Sequence, residues 1–280
     1  MLYIIGNKRL SVAVDSLGAE LNSVKKDGKE LLWQNYDGSW DGHSPVLFPY
    51  CGRCKVIIDG KTYKSHLHGF AAKRKFSRIS QTATELVLTT RSDAGTKAVY
   101  PYDFEFSVRY AVRKTTLYID YIIKNTGENA MYFGCGGHES FNIDGKLEDY
   151  FVEFEKDESL HRLFHTEKGR LNGKTKEYPQ SKFLRFKDVP VDDSETLIFK
   201  GIKSRWCRLV KNTGETVAET HFKGFSNLLF WRPDGAPVIC MEPWTNLPDK
   251  NGEKTDFRKK SGIKPLLKGA EKIFARKIVY

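Results

Sequence analysis

The feature that most limits how this chain can fold is a two-residue alternation of apolar and polar side chains, recurring between closely spaced turn signals. In Phe104–Tyr110 the side chains of Phe104, Phe106, Val108 and Tyr110 fall on one face, and those of Glu105, Ser107 and Arg109 on the other. That is the pattern of a half-buried strand. Leu117–Tyr121 and Leu86–Leu88 repeat it. Turn-forming groups punctuate the runs: Asp27-Gly28, Asp37-Gly38, Asp59-Gly60, Asn125-Thr126-Gly127, Asn172-Gly173, Asn212-Thr213-Gly214, Asp234-Gly235 and Asn251-Gly252. No long amphipathic helix competes with them; brief helix is expected only near Gly18–Leu21 or Asp192–Glu195. Short strands with such turns predict an all-β fold, a large β-sandwich. The 280 residues contain no Pro/Gly/Ser linker, fixed repeat or low-complexity tract, so 1–280 reads as a single domain. The stretch from Glu153 to Lys187 is more polar and less periodic and reads as a loop-rich excursion.

Charge and cysteine content narrow the class of function. The formal net charge of +11 favours anionic partners in general. Its lysines and arginines are scattered, however, and the densest clusters, Lys73–Lys75 and Arg258–Lys260, read as solvated faces. A nucleic-acid-binding sheet would interleave basic and aromatic residues on one face, and no such stripe is visible, so nucleic acid is not expected as a partner. Met1–Ile5 is too short an apolar run for a secretion signal. No run approaches the ~20 apolar residues of a membrane span. The five cysteines are odd in number and dispersed, as reduced thiols in a cytoplasmic protein would be. Cys51 and Cys54 have metal-like spacing, but no second close pair follows to complete a zinc site.

Three short segments carry candidate chemistry. His138 follows Gly134, Gly136 and Gly137; glycines in a strand context signal a bulge or a close approach that would bring the imidazole out at a sheet edge. Histidine titrates near neutrality and so can give or take a proton at physiological pH. Glu242 ends the apolar run Ala236–Met241 and precedes Pro243-Trp244. Partial desolvation there should raise its pKa and make it a usable base. His66 and His68 share a strand face but lack the acidic ligand a metal would require. Gly69 and Phe70 instead suggest that His68 meets a close backbone or ligand beside an aromatic wall. Arg53, after Gly52, can present its donors to hydroxyls, and Trp231 and Trp244 can stack on a sugar face. No phosphate loop, dinucleotide fingerprint or nucleophile elbow is present, so no cofactor is expected.

The ordered series of these motifs resembles the aldose 1-epimerase (mutarotase) family, especially its bacterial mutarotase-like branch. It runs from Ser44–Pro49 with Gly52-Arg53, through His68–Ala71, Tyr100-Pro101 and Gly137–Phe141. Trp231, Cys240–Trp244, Asp249 and Gly262–Glu271 complete it. The resemblance implies the galactose mutarotase-like supersandwich and metal-free interconversion of the α and β anomers of a free aldohexose. It also implies that His138 protonates the ring oxygen and Glu242 takes the proton of the anomeric hydroxyl. His68 would support these atoms, while Arg53, Trp231, Trp244 and Asp249 would contact the sugar. Hexose-6-phosphate mutarotase and a noncatalytic carbohydrate-binding or sensing protein are the alternatives on the same fold, as monomer or homodimer. Three positions depart from the family pattern. Ala72 stands where many relatives have arginine, with Lys73 and Arg74 as possible substitutes. Glu139 follows the histidine where proline is frequent, and is expected to raise the imidazole's pKa or alter the substrate contact. Thr245-Asn246 replaces an aromatic–glycine pair.

Overall fold

The computed structural model describes residues 1–192 and 195–280. Two large antiparallel sheets enclose the core. The larger has nine strands, in the order Ser181–Arg185, Tyr150–Glu158, Trp206–Lys211, Thr216–His221, Glu271–Val279, Thr116–Asn125, Phe104–Arg113, Glu85–Arg91 and Ser77–Gln81. The smaller has six: Glu139–Asn142, Val238–Trp244, Asn227–Trp231, Leu197–Lys200, His161–His165 and Leu171–Glu177. A four-stranded sheet from the first thirty residues joins the same core through Leu10, Val12 and Val14.

Alternation sets which face each strand buries. Phe104, Phe106, Val108 and Tyr110 all lie in the core, and the paired strand adds Leu117, Ile119, Tyr121 and Ile123, with Val108 opposite Tyr121. In the smaller sheet Leu228, Phe230 and Met241 point into that core. Their neighbours Leu229, Trp231 and Glu242 face the other way, into a cleft. Val238–Trp244 is buried along its whole length, as its unbroken apolar run requires when both faces are covered.

Several local expectations are corrected. The segment Glu153 to Lys187 is mostly strand: the rest of Tyr150–Glu158, then His161–His165, Leu171–Glu177 and Ser181–Arg185. Leu171–Glu177 and Ser181–Arg185 are the edges of the two sheets; with one face in water they need few apolar residues, which hides their period. Asn172-Gly173 makes no turn but lies inside Leu171–Glu177, where Gly173 has φ +87° and the pairing register shifts. Gly18 and Ala19 form a left-handed turn rather than helix. The other expected helix, Asp192–Glu195, includes residues 193 and 194, which lie outside the described residues. A helix that the periodicity did not reveal spans Ala94–Lys97, where Asp93 and Thr96 form a capping box.

Candidate active site

The site begins where the outer face of the smaller sheet meets its edge. Glu139 pairs with Met241, so extending the register by one residue sets His138 opposite Glu242. His138 Nε2 lies 3.3 Å from Glu242 Oε2. Both residues are buried, and neither Glu242 Oε2 nor His138 Nδ1 has an aligned hydrogen-bond partner. Buried polar atoms without partners are costly, and here they border a cleft of about 490 Å³.

The glycine run serves close packing of the protein's own groups. A Cβ on Gly134 would stand 2.1 Å from Asn246 Oδ1, one on Gly136 2.7 Å from the Trp244 ring, and one on Gly137 2.1 Å from an Arg276 guanidinium nitrogen. Asn246 explains one departure from the family pattern. Its amide bonds the Cys51 backbone in both directions, at 2.9 and 3.1 Å, and so fixes the loop that carries Arg53.

His68 enters the cleft from a left-handed position, with φ +59°. The Gly52 N–H donates to its Nδ1 at 3.1 Å, which leaves Nε2 as the protonated nitrogen in the neutral ring. Gly69 is required by backbone approach, because a Cβ there would be 2.3 Å from the Phe48 carbonyl oxygen. Phe70 does not wall the cleft; it packs on Phe48, Tyr100 and Phe104. His66 stays exposed. Among the described residues no group of three or more His, Cys, Asp or Glu side chains is placed to hold a metal ion.

Aromatic rings form the walls. Trp231 stands edge-on to the His138 ring at 5.7 Å, and Trp244 edge-on to His68 at 5.2 Å. Trp40, which sequence reasoning missed, lies 5.2 Å from both His138 and Trp231. Its backbone carbonyl accepts from the Trp33 indole at 2.9 Å. A tryptophan two residues after the turn-forming Asp37-Gly38 is the signal that could have found it. Arg53 reaches the cleft mouth, joined by His165, the last residue of His161–His165, and by Lys168 from the loop that follows. Neither Arg53 nor Lys168 has a carboxylate partner among the described residues.

Four expected participants lie elsewhere. Asp249 does not line this cleft. It is buried, accepting from Lys260 Nζ at 2.6 Å and the Lys55 N–H at 2.7 Å, and its own N–H donates to the Arg53 carbonyl at 3.0 Å. Arg74 is paired with Asp93 at 2.7 Å, and neither it nor Lys73 borders the cleft. Glu139 points away from His138 into the sandwich, where it meets Arg276; neighbours on a strand face opposite sides.

Burial sets the protonation of the pair. It pushes the His138 imidazole down to about 4, well below the neutral titration expected from its type. It pushes the Glu242 carboxyl well up, and the charge of Glu139 adds to the rise. His68 is also held neutral, by burial and then by the positive potentials of His138 and Arg53. Acid stability should register this. Between the ordinary histidine value of 6.5 and about 4 the unfolded chain binds a proton that native His138 refuses, so stability falls as pH drops through that window. Glu242 has the opposite sign: it keeps a proton the unfolded chain releases, and so costs stability as pH rises. Comparing denaturant unfolding at pH 7 and 4.5 for wild type and His138→Asn isolates the histidine. The variant should lose about 2–3 kcal/mol less on acidification; equal losses would mean that His138 is not held neutral.

Two sheets packed face to face, with a histidine and a glutamate meeting on the outer face of the smaller one, define a galactose mutarotase-like sandwich. The family model for aldose 1-epimerase matches residues 1–257, and the chain belongs to that family. The LacX protein (chromosomal) of Lactococcus lactis subsp. lactis is 29% identical over 268 residues, covering 88% of each chain. A galactose mutarotase related enzyme from Lactobacillus acidophilus superposes with a TM-score of 0.92 at 25% identity, covering 100% of this chain and 97% of its own. A galactose mutarotase-like protein from Lactobacillus casei gives a TM-score of 0.92 at 26% identity, with 100% and 99% covered. No helix among the described residues is long and apolar enough to cross a membrane.

Proposed function

We propose that this protein is an aldose 1-epimerase that interconverts the anomers of a free aldohexose. The observation that supports this most is the pairing of His138 and Glu242 at 3.3 Å, both desolvated and both open to one cleft. A binding protein needs hydroxyl partners but no matched acid and base.

The pair holds one proton at neutral pH, and the two residues titrate as a unit. With that proton on His138, Glu242 is a carboxylate. It removes the hydrogen of the anomeric hydroxyl while His138 delivers its proton to the ring oxygen, and the C1–ring oxygen bond breaks. Imidazole, carboxylic acid and open-chain aldehyde remain. Rotation about C1–C2 presents the other carbonyl face. On closure the ring hydroxyl attacks C1 and gives its proton to His138, and Glu242 protonates the new anomeric oxygen. Atoms and charge balance, and each proton transfer contributes ~10²–10⁴-fold. The lowered imidazole makes a strong acid and the raised carboxylate a strong base, which is the direction each role demands. His68, through Nε2–H, donates to the ring oxygen or a neighbouring hydroxyl. Trp231, Trp244 and Trp40 exclude water and cover the sugar's apolar face. Arg53 donates to hydroxyls: Arg53→Ala should raise KM about tenfold with kcat nearly unchanged, the signature of lost uniform binding. A fall in kcat at constant KM would instead place Arg53 in the chemical step.

A second reading has its own observation. Arg53 and Lys168 are cations at the cleft mouth with no carboxylate partner among the described residues, the chemistry that would receive a sugar phosphate. Comparing a free hexose with its 6-phosphate decides between the two.

A further inference from the structure

We propose that the buried Glu139–Arg276 ion pair is a positioning device that clamps the backbone on both sides of His138 and so holds the imidazole against Glu242. The proposal rests on the acid–base reading above. Arg276 belongs to Glu271–Val279 of the larger sheet, and Glu139 opens the edge strand of the smaller one, so the pair spans the sandwich. Both side chains are sealed from solvent. One guanidinium nitrogen of Arg276 donates to Glu139 Oε1 at 2.8 Å and to the Tyr121 hydroxyl at 2.9 Å; the other donates to Glu139 Oε2. This is a two-pronged fork with a fixed plane.

The same guanidinium lies against Gly137, where a Cβ would be 2.1 Å from it. On its other side the Gly137 N–H donates to the Pro243 carbonyl at 3.1 Å. His138 is therefore bracketed by one residue wedged between Arg276 and Pro243 and by another held in the fork. That matters because the strand has a single ladder neighbour and the backbone bonds on its other edge, to Leu31, Trp33 and His43, start only at Ser140. Its beginning at His138 therefore needs another hold, since strand ends open most readily. A buried ion pair is seldom needed for stability, since apolar replacements of similar volume are often neutral or better. The arrangement makes sense where a side chain must be held to a fraction of an ångström. Glu242 and His68 are the titratable groups against His138, so its own titration reports how tightly it is held.

The test uses wild type, the charge-neutral double variant Glu139→Gln/Arg276→Met, and Arg276→Lys, which keeps the charge but not the fork. Thermal unfolding establishes that each is folded. Mutarotation of a free aldohexose gives kcat and KM, and NMR titration of the ring protons gives the His138 midpoint, assigned by its absence in His138→Asn. In the folded double variant kcat should fall about tenfold or more, because small misplacements are expensive, with KM within about threefold. The His138 midpoint should rise from about 4 toward its ordinary value as water enters. A folded variant with kcat within about twofold of wild type and an unmoved midpoint overturns the proposal and leaves the pair a simple tie between sheets. If the double variant does not fold, Arg276→Lys is judged by the same criteria. Should wild type itself show no mutarotation, a midpoint that moves refutes the enzymatic reading and keeps the clamp, whereas one that does not move overturns the clamp too.

Discussion

Glutamine in place of Glu242 is expected to lower kcat for mutarotation by about 10³-fold, within the range typical of a lost general base, while KM changes little and the fold is retained. The substitution preserves volume in a site where the side chain is 2% exposed. It also removes a carboxyl that burial already disfavours in its charged form, so stability should hold or rise. His138→Asn should produce a loss of similar size. Combining the two should cost little more than either alone, because residues acting as a unit are not additive. Near-wild-type turnover by either single variant would remove the mechanism. Independent, multiplicative losses would show two separate roles in place of a shared proton.

The second large effect concerns stability. Asp249→Ala should destabilise the protein by about 3–5 kcal/mol, the usual cost of breaking a buried ion pair and leaving the partner charge unmatched. That corresponds to roughly 5–9 °C in Tm for a chain of this size. Asp249 is 2% exposed and Lys260 9%, and the Lys55 N–H loses its acceptor as well. At temperatures where the variant is folded, KM should rise only through the slackened Arg53 loop, to which the Asp249 N–H is bonded. An unchanged Tm with a large rise in KM would mean instead that the carboxylate contacts the sugar.

Much of this was readable from residues alone, and the failures have identifiable causes. Phe104, Phe106, Val108 and Tyr110 face the core as their spacing demanded, since one buried face suffices to impose a period of two. His138 and Glu242 stand out in the sequence because glycine-flanked histidine and a carboxylate at the end of an apolar strand are locally unusual, and the fold brings the two side chains together. Glu139 was tied to the imidazole on adjacency, although the same alternation rule should have sent it to the opposite side of the strand. Asp249 lies five residues beyond Trp244, and nothing nearby in the chain shows that Lys260 and the Lys55 amide would claim its oxygens. His165 and Lys168 were invisible for a different reason. They sit at the end of His161–His165 and in the loop that leads to the polar edge strand Leu171–Glu177, and only the order of the smaller sheet brings them over the cleft. Lys73 and Arg74 show the converse: charge near a family position carries no weight once Arg74 is committed to Asp93.

The most direct test is polarimetry of freshly dissolved α-glucose and α-galactose with catalytic amounts of the protein, alongside a coupled assay with glucose 6-phosphate and the Glu242→Gln variant as control. Acceleration of at least one free sugar by wild type, and its loss in the variant, is the expected result. Acceleration confined to the phosphate ester would transfer the activity to phosphosugars through Arg53 and Lys168. No acceleration of any of them, or a rate that survives Glu242→Gln, would contradict acid–base anomer interconversion by this site.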